Sequence, residues 1–296
     1  MTDHITDFLN YLRVEKGYSP LTLKTYEGHL RQLETFLSET DEGLDLLTLD
    51  EDVLRRWMVS MAERGLQART VCKAMSCVRS FFKYLLMMGR IARDPAHALR
   101  NPKMGSSLPT FYRAEDMEHL FRDIAFPDNF TGLRDRTILL TFYHTGIRVS
   151  ELTGLTLSSV RFSENELKVL GKRAKERLIP LTATLREQLR QYVQARQAID
   201  GNALFCSETG AKLTNDKVRA IVKRYLTGIV TQKKRSPHVL RHTFATVMLN
   251  NGAELQAVKE LLGHASLQAT QIYTHATFAQ LREQYAAAHP RQRDKQ

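Results

Sequence analysis

At 296 residues the chain is long enough for two domains. Its 43% hydrophobic and 25% charged content argues against a disordered polymer and fits a soluble protein with apolar cores. A formal charge of +11 and a pI near 9.6 favour an anionic partner and argue against a cationic one.

The three cysteines, Cys72, Cys77 and Cys206, are odd in number and lack C-x-x-C spacing. That pattern suits free thiols in a reducing cytoplasm rather than a disulfide framework or a zinc knuckle. No run approaches the roughly 18 apolar residues of a membrane span, and the acidic start Met1-Thr-Asp-His-Ile-Thr-Asp7 lacks the apolar stretch of a secretory leader. A cytoplasmic protein with no membrane association is expected.

The first hundred residues predict four helices and no strand. The first covers about 3–16 and stops at Gly17. Ser19-Pro20 gives an N-cap followed by proline at the first helical position. Leu23, Tyr26, Leu30, Leu33 and Leu37 then follow at helical spacing. Thr48-Leu-Asp-Glu51 has capping-box spacing and opens a third helix that stops near Gly65. The fourth covers about 68–88, with Met75, Val78, Phe82 and Leu85 as a core stripe and Gly89 as its stop. Asp94-Pro95, Asn101-Pro102 and Gly105-Ser-Ser-Leu-Pro109 interrupt the pattern and mark a linker. We expect a helical domain over 1–105, a linker over 106–111 and a second domain over 112–296.

Charge differs across that boundary. Residues 1–106 hold 15 Lys/Arg against 14 Asp/Glu, which leaves +10 on residues 107–296. Residues 217–241 contain eight Lys/Arg and no acid. Such a run is a solvated basic face at the least, and beside the phosphate-type motifs below it reads as a nucleic-acid surface.

The second domain is again mostly helical, with helices expected over 134–144 and 150–155. Segments 166–170 and 177–181 read as two strands of a hairpin joined by 171–176, and 203–205 as a short third strand before a Thr209-Gly210 turn. Residues 184–196 and the remainder read as helices. The expected fold is therefore mainly α: an N-terminal helical bundle and a C-terminal, mostly helical domain carrying a small antiparallel β-sheet.

The chemistry-bearing residues cluster late in the chain. Ser236-Pro237 opens a helix that places His238 and Arg241 three apart on one face, a candidate anion site near a helix N-terminus; a surface charge pair is the plainer reading. His238 and His242 are four apart, as zinc ligands often are, but Val239 stands where the metalloprotease pattern needs glutamate, so a metal site is disfavoured. Tyr273, in Gln271-Ile-Tyr-Thr-His275, is by spacing alone a half-buried core tyrosine. Yet arginines, histidines and one tyrosine without a carboxylate cluster suit a phosphodiester. Arginines hold the anion, histidines move protons and a phenol attacks.

Taken together, Gly146-Ile-Arg148-Val-Ser-Glu-Leu152, Gly171-Lys172, His238-x-x-Arg241, Leu262-Gly-His264 and Tyr273, with Ser19-Pro-x-Thr22-x-x-x-Tyr26 upstream, resemble the tyrosine recombinase (phage integrase) family. The Xer-type recombinases are the subgroup this chain is most similar to. The resemblance covers the full chain and implies roles for six residues. Tyr273 is the nucleophile that forms a 3′-phosphotyrosyl link and frees a 5′-hydroxyl. Arg148 and Arg241 bind the non-bridging oxygens of the scissile phosphate. Lys172 protonates the leaving 5′-oxygen, with Lys175 as its competitor. His238 helps take the phenol proton, and His264 hydrogen-bonds the phosphate. His144 departs from the subgroup, where a small residue is more usual.

The resemblance further implies that both domains grip a double-stranded DNA recombination site, that no metal or cofactor is needed, and that a homotetramer, or a heterotetramer with a second recombinase, exchanges strands through a Holliday junction. A DNA translocase is a possible activator. Resolution of chromosome or plasmid dimers, tied to chromosome partition and cell division, is the expected outcome, and integration of a mobile element is the alternative with the same chemistry. A type IB topoisomerase and a DNA-binding protein without catalysis are the competing classes. The apolar stripe Phe278, Leu281 and Tyr285 is expected to dock on a neighbouring protomer.

Overall fold

Among the described residues, four amphipathic helices make the first of two units, Met1–Ser107 and Leu108–Gln296. The protein was analysed as a computed structural model, which describes residues 3–40, 44–103, 111–171, 175–230 and 234–263 together with Tyr285, Ala287 and Ala288.

In the first unit α1 (His4–Val14) is capped by Asp3, whose side chain accepts from the Ile5 and Thr6 amides. Helix α2 (Pro20–Thr40) starts as expected: Pro20 opens it and Ser19 Oγ accepts from the Thr22 amide at 3.3 Å. Helix α3 (Glu51–Glu63) starts differently. Its N-cap is Asp50, which accepts from the Val53 amide at 2.9 Å, while Thr48 closes a turn with Asp45. A free carboxylate one residue before the helix outcompetes the hydroxyl further back, because it accepts the orphan amide as an anion. Helix α4 (Ala68–Met87) completes the unit. Phe8, Leu30, Leu33, Leu54, Met75, Val78, Phe81, Phe82 and Leu85 are fully buried in the shared core. Each such side chain contributes on the order of 1.5–3 kcal/mol by leaving water.

The second unit contains α5 (Ala114–Arg122), α6 (Phe130–Thr145), α7 (Val149–Gly154), a 3-10 turn at Leu157–Ser159, strands β1 (Val160–Arg161), β2 (Glu166–Leu170) and β3 (Glu176–Pro180), then α8 (Ala183–Arg196), α9 (Asn215–Leu226), α10 (Pro237–Asn250) and α11 (Leu255–Leu262). The sheet is antiparallel in the order β1-β2-β3, with Val160 opposite Leu167 and Leu167 opposite Ile179. The hairpin is where the sequence puts it, but the third strand is Val160–Arg161 rather than 203–205. Ala203 forms only an isolated bridge with Thr156, while Leu204 and Phe205 are buried in the core. A short apolar run reads the same whether it is a strand or a core-lining loop.

Helix α6 begins at Phe130, capped by Asn129, four residues before the sequence suggests. It packs against α8 and α10 and is buried on nearly every side from Gly132 to Thr145, so it has no polar stripe to mark its start. His144, the departure noted above, is fully buried there, with Nδ1 2.7 Å from Thr182 Oγ1, as a packing residue would be. The three cysteines are free thiols and all buried. Among the described residues no helix is long and apolar enough to cross a membrane.

The end of the apolar stripe is found within its own chain. Tyr285 is 1% exposed, packs beside Phe244 and donates its hydroxyl to the His144 carbonyl at 2.7 Å. Asn251 Nδ2 donates to the Ala288 carbonyl at 2.8 Å. Phe278 and Leu281 lie outside the described residues. Within the single chain, then, the Tyr285 ring packs on its own unit, the alternative to docking on a neighbour.

Candidate active site

Two glycines in left-handed conformation let three elements meet. Gly146 (φ 60°) ends α6, and a Cβ there would lie 2.5 Å from Phe244 Cδ1, so only glycine allows α10 this close. The close approach brings Arg241 onto the turn: its Nη1 donates to the Gly146 carbonyl at 2.7 Å. Gly263 (φ 65°) ends α11, leaving that helix's last carbonyls exposed to donors.

Arginines occupy those carbonyls. Arg241 Nη2 donates to Leu262 O at 2.6 Å, while Arg148 donates to the same Leu262 O at 3.4 Å and to Gly263 O at 3.1 Å. Arg148 precedes α7, and its backbone amide donates to Glu151 Oε2 at 2.8 Å, half of a capping box. Its Nη1 also donates to Glu151 Oε1 at 2.8 Å. Two guanidinium groups distant in sequence thus converge on one helix end, whose partial negative charge favours cations.

A third arginine completes the cluster. Arg177, at an inward position of β3 opposite Val169, holds Glu151 with both arms at 3.0 and 2.8 Å and donates Nε to Leu261 O at 2.7 Å. Burial pushes the Glu151 carboxyl up, but Arg177, then Arg148, outweigh it and hold it at about 2. Burial, followed by the charge of Arg148, lowers Arg241 to about 10, so it remains a cation at neutral pH. Three arginines against one glutamate leave the cluster doubly positive, a preorganised seat for a phosphoryl anion.

His238 lies one turn before Arg241 on α10, exposed, with its Nε2 3.1 Å from His242 Nε2. Burial, then the charges of His242 and Arg241, lowers its pKa below the usual imidazole range, which keeps it neutral and able to accept a proton. Ser236 is the N-cap by position, with Pro237 at the first helical position; the Ser236 amide donates to Tyr112 Oη at 3.3 Å.

Of the six expected residues, the structure brings Arg148 and Arg241 together and places His238 beside the second. Lys172, His264 and Tyr273 lie outside the described residues. Their neighbours are placed: the Gly171 amide donates to the Lys175 carbonyl at 2.7 Å, closing the base of the hairpin, and Gly263 abuts the arginine cluster. Lys175 is exposed. Sequence reasoning missed Glu151 and Arg177. The signals were there: glutamate three after Arg148 at cap spacing, and a charge on the inward face of a strand next to Ile179.

The phage integrase family model matches residues 111–280, and the phage integrase N-terminal SAM-like domain matches residues 5–89. The tyrosine recombinase XerC of Thermodesulfovibrio yellowstonii is 38% identical over 97% of this chain and 96% of its own length. The tyrosine recombinase XerD of Listeria innocua is 36% identical over 98% of this chain and 100% of its own. Among solved structures, the XerH site-specific recombinase bound to palindromic difH substrate aligns with a TM-score of 0.73 at 23% identity, over 94% of this chain and 83% of that one. The Tn1549 transposon integrase in complex with transposon right end DNA aligns at 0.74 and 18% identity, over 97% of this chain and 100% of that one. At those identities the likeness shows the fold. The chain belongs to the phage integrase family, as a tyrosine recombinase of the Xer type.

Proposed function

We infer that this chain carries out site-specific DNA recombination in the cytoplasm, cutting and rejoining DNA through a tyrosyl intermediate. The observation that carries the reading is the convergence of Arg148 and Arg241 on Leu262 O beside a neutral His238. Arg148 and Arg241 hold the non-bridging oxygens of the scissile phosphate, and their fixed charge favours the more anionic transition state. The Tyr273 phenol attacks phosphorus while His238 takes its proton; without such help a phenol with a pKa near 10 is a weak nucleophile at neutral pH. The bond to the 5′-oxygen breaks as Lys172 protonates it, and His264 hydrogen-bonds the phosphate. The phosphotyrosyl ester keeps the bond energy, so the reverse attack by a 5′-hydroxyl rejoins DNA without a nucleotide cofactor.

Both units, 1–105 and 112–296 with 106–111 between them, engage the duplex, the second supplying the catalytic residues and most of the positive charge. The working assembly is a tetramer on two synapsed sites, alone or with a second recombinase, and a DNA translocase can act as its activator. Resolution of chromosome or plasmid dimers is the outcome we favour, in keeping with the XerC and XerD relatives. The test is a nicked suicide substrate, which loses the short 5′-hydroxyl strand after cleavage and traps the covalent adduct. Adduct mapped by peptide sequencing to Tyr273 supports the reading; adduct on another residue, or none from a folded protein that binds the site, overturns it.

A further inference from the structure

We propose that Arg177 is a positioning residue for the phosphate clamp: it neutralises Glu151, so that Arg148 can exchange that carboxylate for the scissile phosphate. The inference rests on the reading that Arg148 and Arg241 hold the phosphate. Glu151 and Arg177 are both nearly sealed from solvent, with side chains 4% and 7% exposed, whereas Arg148 is 40% exposed. The Arg177 side chain engages both carboxylate oxygens, whereas the Arg148 side chain engages one of them through a single nitrogen, its backbone amide holding the other. When Arg148 turns to a phosphate, the buried carboxylate keeps a complete bidentate partner. Without Arg177, Glu151 would be a buried anion whose one remaining arginine partner is Arg148. Leaving it would strand an uncompensated charge, so Arg148 would stay locked in place.

The surroundings are shaped around this guanidinium. A Cβ on Gly263 would come 3.2 Å from Arg177 Nη1, and one on Gly171 would come 3.6 Å from it. Those glycines immediately precede His264 and Lys172. Through Nε and Leu261 O, Arg177 also fixes the end of α11 on which Arg148 and Arg241 converge. One buried side chain thus ties β3, α7 and α11 at the point where the clamp is assembled.

The experiment compares binding of the full chain to two recombination-site duplexes. One carries the ordinary scissile phosphate and the other a neutral methylphosphonate there, so the ratio of affinities reads the clamp without chemistry. Wild type is expected to prefer the charged duplex by on the order of ten-fold. Arg177→Met should reduce that preference to within about two-fold, because Arg148 remains committed to Glu151. Adding Glu151→Gln to Arg177→Met should restore it to within about three-fold of wild type, since the charge to be matched is gone. Arg177→Lys keeps the charge but loses the two-armed contact, so its preference should fall between those of Arg177→Met and wild type. A merely structural arginine predicts otherwise: the double variant would be no better than the single, or all would lose melting temperature with the preference intact. Either result overturns the proposal. If Arg177→Met does not fold, the double variant decides, and loss of preference there overturns the proposal. A wild-type chain that ignores the methylphosphonate would instead sink the underlying clamp reading, which separates the two failures.

Discussion

The two units solve different packing problems. Every buried polar or charged side chain among the described residues, from Arg134 to Thr243, belongs to the second unit. The first unit buries apolar side chains and leaves its ion pairs at the surface: Arg31, paired with Asp3 and Glu34, is 39% exposed. In the second, the Arg134–Asp135 and Arg177–Glu151 pairs are buried. Burying charge rarely adds net stability over a well-packed apolar alternative, so its concentration in one unit marks where stability is traded for a chemical task. The first unit holds a shape, while the second holds a charge arrangement.

The sharpest way to break this contrast is to remove groups from the second unit that cost little fold. Tyr273→Phe should abolish covalent adduct while site binding stays within about three-fold, since a ring of the same shape remains. Adduct from this variant would move the nucleophile elsewhere, with Tyr225 next to test. Arg148→Ala or Arg241→Ala should each slow single-turnover cleavage by on the order of a hundred-fold or more, the usual loss of one fixed transition-state donor. Arg31→Ala in the first unit is the control, with an expected stability change of about 1 kcal/mol or less and cleavage near wild type. A larger catalytic loss at Arg31 than at Arg148 would invert the comparison.

Charge sharpens it further. Lys217, Arg219, Lys223 and Arg224 are exposed on α9. A plot of log K against log[salt] should be steeper than about −5 for a protein that touches six or more phosphates. Changing those four residues to glutamine should flatten it by roughly 0.9 for each phosphate that is no longer neutralised. An unchanged slope would show that this basic face is solvated and nothing more.

The sequence was most legible where helices have one wet face. In the first unit, spacing alone located α1 to α4 and the core stripe of Met75, Val78, Phe82 and Leu85, and only the α3 cap was misplaced. In the second unit, α6 has no wet face, so periodicity lost its start, and Leu204-Phe205 mimicked a strand because core loops are apolar too. The resemblance supplied Arg148, His238 and Arg241 from motif order. Glu151 and Arg177 escaped because they touch one another and not, on our reading, the substrate; only the fold brings residues 26 apart in sequence into bidentate contact.

Tyr285 tests whether the second unit also depends on its C-terminal residues for stability. Truncation after Ala279 removes a ring buried beside Phe244 and its hydroxyl bond to His144 O. Tyr285→Ala should cost about 3–5 kcal/mol, comparable with Trp57→Ala in the first unit. Thermal melts would show it, and an unchanged melting temperature after truncation would mean that the tail is dispensable to its own domain.

The smallest effect is the most diagnostic of buried against exposed charge, because both units contain a carboxylate held at about 2. In Asp3 the main cause is the hydrogen bond from Arg31; in Glu151 burial opposes the shift and Arg177 overcomes it. The sign is the same for both. A folded pKa below the unfolded value gives stability that is present above the unfolded pKa and lost as pH falls through the folded one. For Glu151 the window runs from its ordinary 4.5 down to about 2, and the term is on the order of 3 kcal/mol. Glu151→Gln should therefore be less stable than wild type at pH 7, and the gap should close on acidification through that window. The Asp3 pair, 41% and 39% exposed, is screened by solvent, so Asp3→Asn should show a much smaller gap that about 0.5 M salt removes. The Glu151 gap should survive the same salt, because ions do not reach a side chain 4% exposed. Equal salt sensitivity at the two sites, measured by denaturant unfolding across the pH range, would erase the distinction between surface and buried charge on which the comparison of the units stands.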